Sequence, residues 1–356
     1  MKWRLALMFI GCVLYLSACN RLTPLTQQEK KMVTELTANL KPRCVGRYVI
    51  DMPADAPVFG GAKIDGVNVE ATAMTQKDYQ AAMDARSKEL NSIKVHTGPQ
   101  FLYGEGTVGD IPGSRYFISQ GTLYEISDAT RVIEAYKWDR GYQIKLQIVG
   151  HDDTNSILKD TPSYKMNPNK NDVPNKARQV AFLLDKVRGR TEDEIPTEPG
   201  FCFIGGFLPG KPIVQENIGV QFVLHGHNDV SFDLDTNSNI QETTTLLQRG
   251  DDINAALKQN EGRTIRKGPV ELPGMQAEEW LMAGLTQRHI PGHHMTLEAN
   301  SKIGSAKTPL VILDMDTGSN SILLPGRVEK ASLTEGEAIA LWDAVSRTLR
   351  PRPNGF

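Results

Sequence analysis

The sequence repeats itself at a nearly fixed spacing. Cys44-Val45-Gly46-Arg47-Tyr48 opens one half and Cys202-Phe203-Ile204-Gly205-Gly206 the other, 158 residues apart. Pro112-Gly113 and Pro273-Gly274 follow at a separation of 161. Ala181-Phe182-Leu183-Leu184-Asp185 and Ile339-Ala340-Leu341-Trp342-Asp343 come next, again 158 apart. Chance matches between short apolar words would not hold one offset across three separate landmarks. Self-similarity of this kind marks a duplicated structural unit. The chain therefore reads as two related tandem domains, 30–195 and 196–356. They are joined by residues 188–200, a charged stretch carrying Pro196 and Pro199, as boundaries commonly are.

Both halves show one coarse order. A β segment follows each cysteine (45–52 and 218–224), then alternating strands at Val67-x-Val69 and Val230-x-Phe232-x-Leu234. A helix is expected next, at 75–90 behind Thr75 and Asp78, and at 240–257 in the second half. Glycine turns and further strands lead to closing helices at 175–187 and 334–349, the latter capped by Thr334 with Glu337. An additional helix begins at the capping box Thr26-x-x-Glu29 and puts Met32, Val33, Leu36 and Leu40 on one face. Strands at hairpin spacing among few helices give an α+β class, with mainly antiparallel sheets and flanking helices.

The N-terminus reads as an export signal. Lys2 and Arg4 precede an apolar run over 5–16, which ends in Leu16-Ser17-Ala18-Cys19. A run of about twelve residues is too short for a spanning helix, which needs about 20. The Ser-Ala-Cys order resembles the lipobox of bacterial lipoproteins, where the thiol is acylated before cleavage. The expectation is a signal peptide over 1–18, lipid on Cys19 and a short tether over 19–29. Asn20 is not the aspartate that commonly retains lipoproteins in the inner membrane. The expected location is thus the periplasm, anchored to the inner leaflet of the outer membrane.

Loss of Lys2 and Arg4 with the signal leaves 38 of the 40 basic residues against 42 acidic ones, a net charge of −4. This balance speaks against a general nucleic-acid binder, which shows a basic patch or stripe. Of the four cysteines, Cys12 goes with the signal and Cys19 carries lipid, leaving Cys44 and Cys202. An oxidising compartment makes them a possible disulfide. Two separately buried thiols are the alternative.

Short catalytic signatures do not fit. Asp316-Thr317-Gly318-Ser319 matches the local string of aspartic proteases, but the first half offers only Asp152-Asp153-Thr154-Asn155 where a second aspartate of the dyad belongs. A strand running into a glycine turn is the plainer reading. His225-x-His227 and the His289, His293, His294 group invite a metal, yet His-Glu-x-x-His is absent and Pro291-Gly292 interrupts the second group. Gly-x-Ser-x-Gly, the P-loop and the dinucleotide fingerprint are also absent. No metal, cofactor or small-molecule substrate is expected.

The openings at Cys44 and Phe201-Cys202, and the ending Leu341-Trp342-Asp343-Ala344-Val345 through Arg350-Pro351-Arg352-Pro353, resemble the type VI secretion immunity proteins cognate to lipase effectors of the fourth class. The resemblance implies two α+β domains in a claw-like arrangement, no enzymatic activity, and a phospholipase toxin as protein partner, gripped so that its lid cannot open onto lipid. A membrane tether would concentrate such an inhibitor where the toxin acts. The contact residues are not readable. The acidic runs Glu192-Asp193-Glu194 and Asp251-Asp252 are candidates, though a solvated acidic face is the simpler reading. A structural or assembly lipoprotein of the envelope is the alternative function, and an envelope hydrolase a third.

Overall fold

The computed structural model describes residues 24–96, 98–122, 128–166, 170–319 and 328–356. The signal region and Cys19 lie outside the described residues.

The first lobe begins with α1 (Gln27–Thr37). The hairpin β1 (Leu40–Val45) and β2 (Tyr48–Pro53) follows, then β3 (Val58–Ile64) and β4 (Val67–Ala73). Next come α2 (Gln76–Ser92), β5 (Leu102–Gly106), β6 (Arg115–Gln120), β7 (Thr130–Asp139) and β8 (Tyr142–His151). The lobe closes with α3 (Pro162–Lys165), α4 (Val173–Lys186) and the two-residue β9 (Arg188–Gly189). The second lobe repeats the plan with the hairpin β10 (Gly200–Phe203) and β11 (Gly206–Pro209), then β12 (Glu216–Leu224) and β13 (His227–Asn237). A short 3-10 helix (Leu247–Arg249), α5 (Gly250–Gln259), β14 (Arg263–Leu272) and β15 (Met275–Leu285) follow. β16 (Pro291–Ala299), β17 (Leu310–Thr317), α6 (Glu335–Ser346) and β18 (Arg350–Pro351) complete it.

The landmarks that repeat in sequence fall on matching elements: the two small hairpins, the β5–β6 and β14–β15 turns, and the closing helices. From the middle outward, the first lobe orders its strands β3-β4-β8-β7-β6-β5 and the second β12-β13-β17-β16-β15-β14, which is the same topology twice. The two sheets are one. β3 pairs antiparallel with its counterpart β12, giving a continuous twelve-stranded antiparallel sheet. At the seam Gly61 lies opposite Gly219, a separation of 158, the spacing of the repeat itself. A strand that pairs antiparallel with its own copy places a local twofold axis between them, as in an isologous dimer interface.

One sheet face is covered by α4, the two small hairpins and α6. Alternation sends Ala62, Ile64, Val220, Phe222, Leu313 and Met295 into that layer, where they join a single core running through both lobes. The lobes also exchange their ends: β9 completes the hairpin sheet of the second lobe, and β18 that of the first.

The crossovers are buried and polar. Arg47 of the first lobe forms a two-pronged ion pair with Glu216 at 2.7 Å, both side chains almost wholly buried. Arg190 donates to the carbonyls of Phe203, Gly206 and Glu194, and Arg352 to those of Pro196, Glu198 and Gly200. Residues 188–200, expected as a linker, thus carry two-way anchoring rather than a free span. The acidic run within them is consumed the same way: Glu192 accepts from the Gly205 amide, Asp193 meets Arg43 and Glu194 meets Arg188.

Both capping boxes read from the sequence are formed, at Thr26/Glu29 and Thr334/Glu337. Thr75 caps α2 by accepting from the Asp78 amide. The helix expected over 240–257 is shorter: Thr243-Thr244-Thr245 precedes it, and β-branched residues lose rotamer freedom in a helix, so helical structure starts only at Leu247.

Cys44 and Cys202 are bonded, with Cα atoms 5.8 Å apart. The bond joins equivalent positions of the two lobes, beside a reciprocal pair of backbone hydrogen bonds between Gly46 and Cys202. Closing a loop this long restricts the unfolded chain strongly. Replacing both cysteines by serine is expected to lower unfolding free energy by about 3–5 kcal/mol. Denaturant melts check this: reductant should weaken the wild-type chain by the same amount and leave the double variant unchanged.

Candidate partner-binding groove

The opposite sheet face is only partly covered. At the first-lobe end α2 lies over it, packing Tyr79, Met83 and Leu90 on Phe117 and Tyr136, with Arg86 bonded to Glu134 at 2.9 Å. At the second-lobe end the 3-10 helix and α5 take the equivalent place. There Arg249 pairs with Glu298, the Leu247 amide donates to Glu278 at 2.8 Å, and Gly250 comes close to the Trp280 ring. Between these two walls a groove of about 620 Å³ crosses the seam, bordered by Gly60, Gly61, Glu70, Asn217, Asp235 and Asp314. Its middle is unfilled because Gly61 and Gly219 offer backbone alone.

Alternation fixes which side chains form the floor. In the second lobe these are Asp233 and Asp235 of β13, Asp314 and Asp316 of β17, and His294 of β16. Asp233 lies directly opposite Asp314, and His294 opposite Asp316. His294 Nδ1 meets Asp316 at 2.8 Å, while Gln221 and Ser231 donate to Asp233 at 2.9 and 3.2 Å. Among the described residues no Lys or Arg lies within 4.0 Å of Asp233, Asp235 or Asp314. Like charges facing each other across strands destabilise a sheet. Burial pushes the Asp314 carboxyl up to about 6, and Asp316 and Asp233 add to the effect. Burial also raises Asp233. Although burial works against its charge, His294 is held above the usual histidine range by the hydrogen bond and charge of Asp316. The first-lobe floor differs, presenting Lys63, Asn68, Glu70 and Lys145.

The earlier candidates fall into place around this groove. Asp316-Thr317-Gly318 is a strand running into a turn at Gly318 (φ +73°), with Thr317 bonded to His293. β8, which ends next to Asp152, is separated from β17 by four strands of the sheet, placing them roughly 24 Å apart, so no aspartate dyad forms. His225 and His227 flank a tight turn at Gly226, and His227 bonds Ser332. His293 and His294, adjacent on β16, point to opposite faces; burial lowers the former, which sits near Glu335 at 3.7 Å. No group of three or more metal-ligating side chains is found among the described residues. Asp251 and Asp252 are exposed in the first turn of α5. Sequence reading weighed Asp316 only as a protease aspartate and missed Asp233, Asp235 and Asp314. Their signal was the alternation in Asp233-Leu234-Asp235 and Asp314-Met315-Asp316, which marks strands and also one acidic face.

This architecture is that of two-lobed immunity proteins. The crystal structure of a Tle4-Tli4 complex aligns with a TM-score of 0.68 at 20% identity, covering 90% of this chain and 99% of that one. The apo structure of the immunity protein TplEi of the T6SS from Pseudomonas aeruginosa gives 0.67 at 20% identity, covering 89% and 98%. The TplEi structure complexed with "L" peptide gives 0.64 at 21% identity, covering 89% and 99%. No curated protein sequence matches the chain. The chain belongs to the Tle cognate immunity protein 4 family: its N-terminal domain model matches residues 41–190 and its C-terminal domain model residues 194–354.

The raised Asp314 sets a stability test. A carboxyl held above its unfolded value of about 3.9 binds its proton more tightly in the folded state, so folding loses stability as pH rises from about 4 through 6. Asp314→Asn is expected to stabilise the protein by about 1–3 kcal/mol at pH 7.5, with the gain vanishing towards pH 4. Thermal melts of both proteins across this range measure it.

Proposed function

We propose that this chain is an immunity protein that binds and neutralises a type VI secretion phospholipase effector of the Tle4 kind, protecting the cell that makes it from hydrolysis of its own membrane lipids. The observation that carries the reading is the match of both family domains, in order, along residues 41–354. The open groove between α2 and α5 supports it, because a wide, partly uncovered sheet face is suited to a protein surface. Protection follows from occupancy: a stoichiometric complex removes free effector, and the chain itself carries out no chemistry. We place it in the periplasm, held by lipid on Cys19 to the inner leaflet of the outer membrane. The Lys2 to Cys19 signal pattern supports this placement. Tethering keeps inhibitor concentrated at the lipid surface under attack.

The test is protection. The lipase encoded beside this chain is directed to the periplasm and survivors are counted with wild type, with Cys19→Ser that is still exported, and without either. Wild type is expected to rescue growth and to co-purify with the lipase, and Cys19→Ser to rescue less well. Absence of rescue by a correctly located, well-expressed wild type would sink the assignment for that pair.

A further inference from the structure

The groove has a twofold backbone and a one-sided charge. β3 and β12 meet as equivalents, and α2 and α5 stand as equivalent walls. Yet the second-lobe floor carries four carboxylates at alternate positions of two neighbouring strands, whereas the first-lobe floor mixes Lys63 and Lys145 with Glu70 and amides. Within the fold the partners of these carboxylates are neutral donors and one histidine: Gln221 and Ser231 donate to Asp233, and Thr296 and His294 lie beside Asp314. His294 serves Asp316, and neither Lys nor Arg reaches the other three among the described residues. One oxygen of Asp314, Oδ1, is buried without a donor. An acceptor closed off from water and left unpaired costs about 1–3 kcal/mol, a cost that a donor from a partner removes. Three strands away, at the seam, the floor is open: a Cβ built on Gly61 would meet nothing within 4 Å.

We propose that the second-lobe floor is a receptor for a lysine- or arginine-bearing segment of the effector, its cations set over Asp233, Asp235, Asp314 and Asp316, so that charge fixes which way round the segment lies in a groove whose backbone would accept either direction. This rests on the immunity reading above. The same charge excludes other occupants: phosphate groups of nucleic acids and of anionic lipids are repelled by four neighbouring carboxylates. Guanidinium groups fit best, since they bridge paired carboxylates with planar donors and are weakly hydrated. A cation over the floor favours the ionised carboxylates, so binding weakens as pH falls through about 6, where Asp314 takes up its proton. The groups facing Asp314 are Asp233 on β13, which burial raises, His294 on β16, held above its usual range and gaining positive charge as pH falls, and the carboxylate of Asp316 on β17, whose charge adds to the pressure on Asp314.

The experiment uses the full mature chain and the lipase that it neutralises, with affinity measured by calorimetry at low and high salt. Asp233→Asn with Asp314→Asn is expected to weaken binding about tenfold or more and to flatten its salt dependence, while the melting temperature at neutral pH does not fall. Asp235→Lys, at an exposed position, is expected to weaken binding as well, and provides the answer should the double variant fail to fold. Asp110→Asn and Asp160→Asn, exposed outside the groove, are controls expected to bind as wild type. Wild-type affinity and an unchanged salt slope in both groove variants overturn this inference and leave the immunity reading standing. A wild-type chain that binds no lipase overturns both.

Discussion

Everything in this structure depends on one strand pair. β3 and β12 are copies of one another, and their antiparallel pairing converts two six-stranded sheets into one. Antiparallel pairing of equivalents is self-complementary, so a single register satisfies the backbone groups of both strands at once. The glycines at the centre are part of that geometry. Gly60 holds a φ of +149°, and a Cβ there would come within 2.1 Å of the Gly219 carbonyl oxygen. Side chains on this seam would push the lobes apart and fill the groove above it. The disulfide and the Arg47–Glu216 pair then hold the lobes on the other side of the sheet.

The charge of the floor shows how a duplicated fold departs from its symmetry. Backbone pairing constrains both lobes alike, but surface side chains are free to diverge. The acidic floor is locally unfavourable for the folded chain, since opposed carboxylates repel and burial resists their ionisation. Proteins tolerate such positions where the group is needed for something other than folding. Asp314 Oδ1, one of several buried side-chain polar atoms on the sheet without a partner, belongs to the same description.

Much of the architecture was legible in the sequence because duplication writes every landmark twice. Capping boxes at Thr26 and Thr334 were readable because a hydroxyl and a carboxylate three residues apart have one local geometry that satisfies both. What joins the lobes was not readable. No local pattern in 58–64 or 216–224 announces that these strands pair with each other, because register is decided by burial across the whole face. The 188–200 stretch misled for a similar reason: its composition looks like surface, while its own Arg190 is buried among backbone carbonyls and its carbonyls in turn bury Arg352. The acidic floor hid in plain alternation, because a strand pattern tells which residues share a face and is silent on whether a helix covers it.

The exchanged end strands have a kinetic meaning. β18 pairs with β2, and Arg350 reaches Asp51, 299 residues earlier in the chain. The hairpin sheet of the first lobe therefore stays unfinished until β18 of the second lobe is available. Contacts so remote in sequence close large loops and slow the search for the native state. The first lobe is not a self-sufficient folding unit, and synthesis from the N-terminus leaves it waiting. Maturation of the earlier lobe is thus an event of the later one, whose β18 is the piece that finishes the sheet begun by β1 and β2.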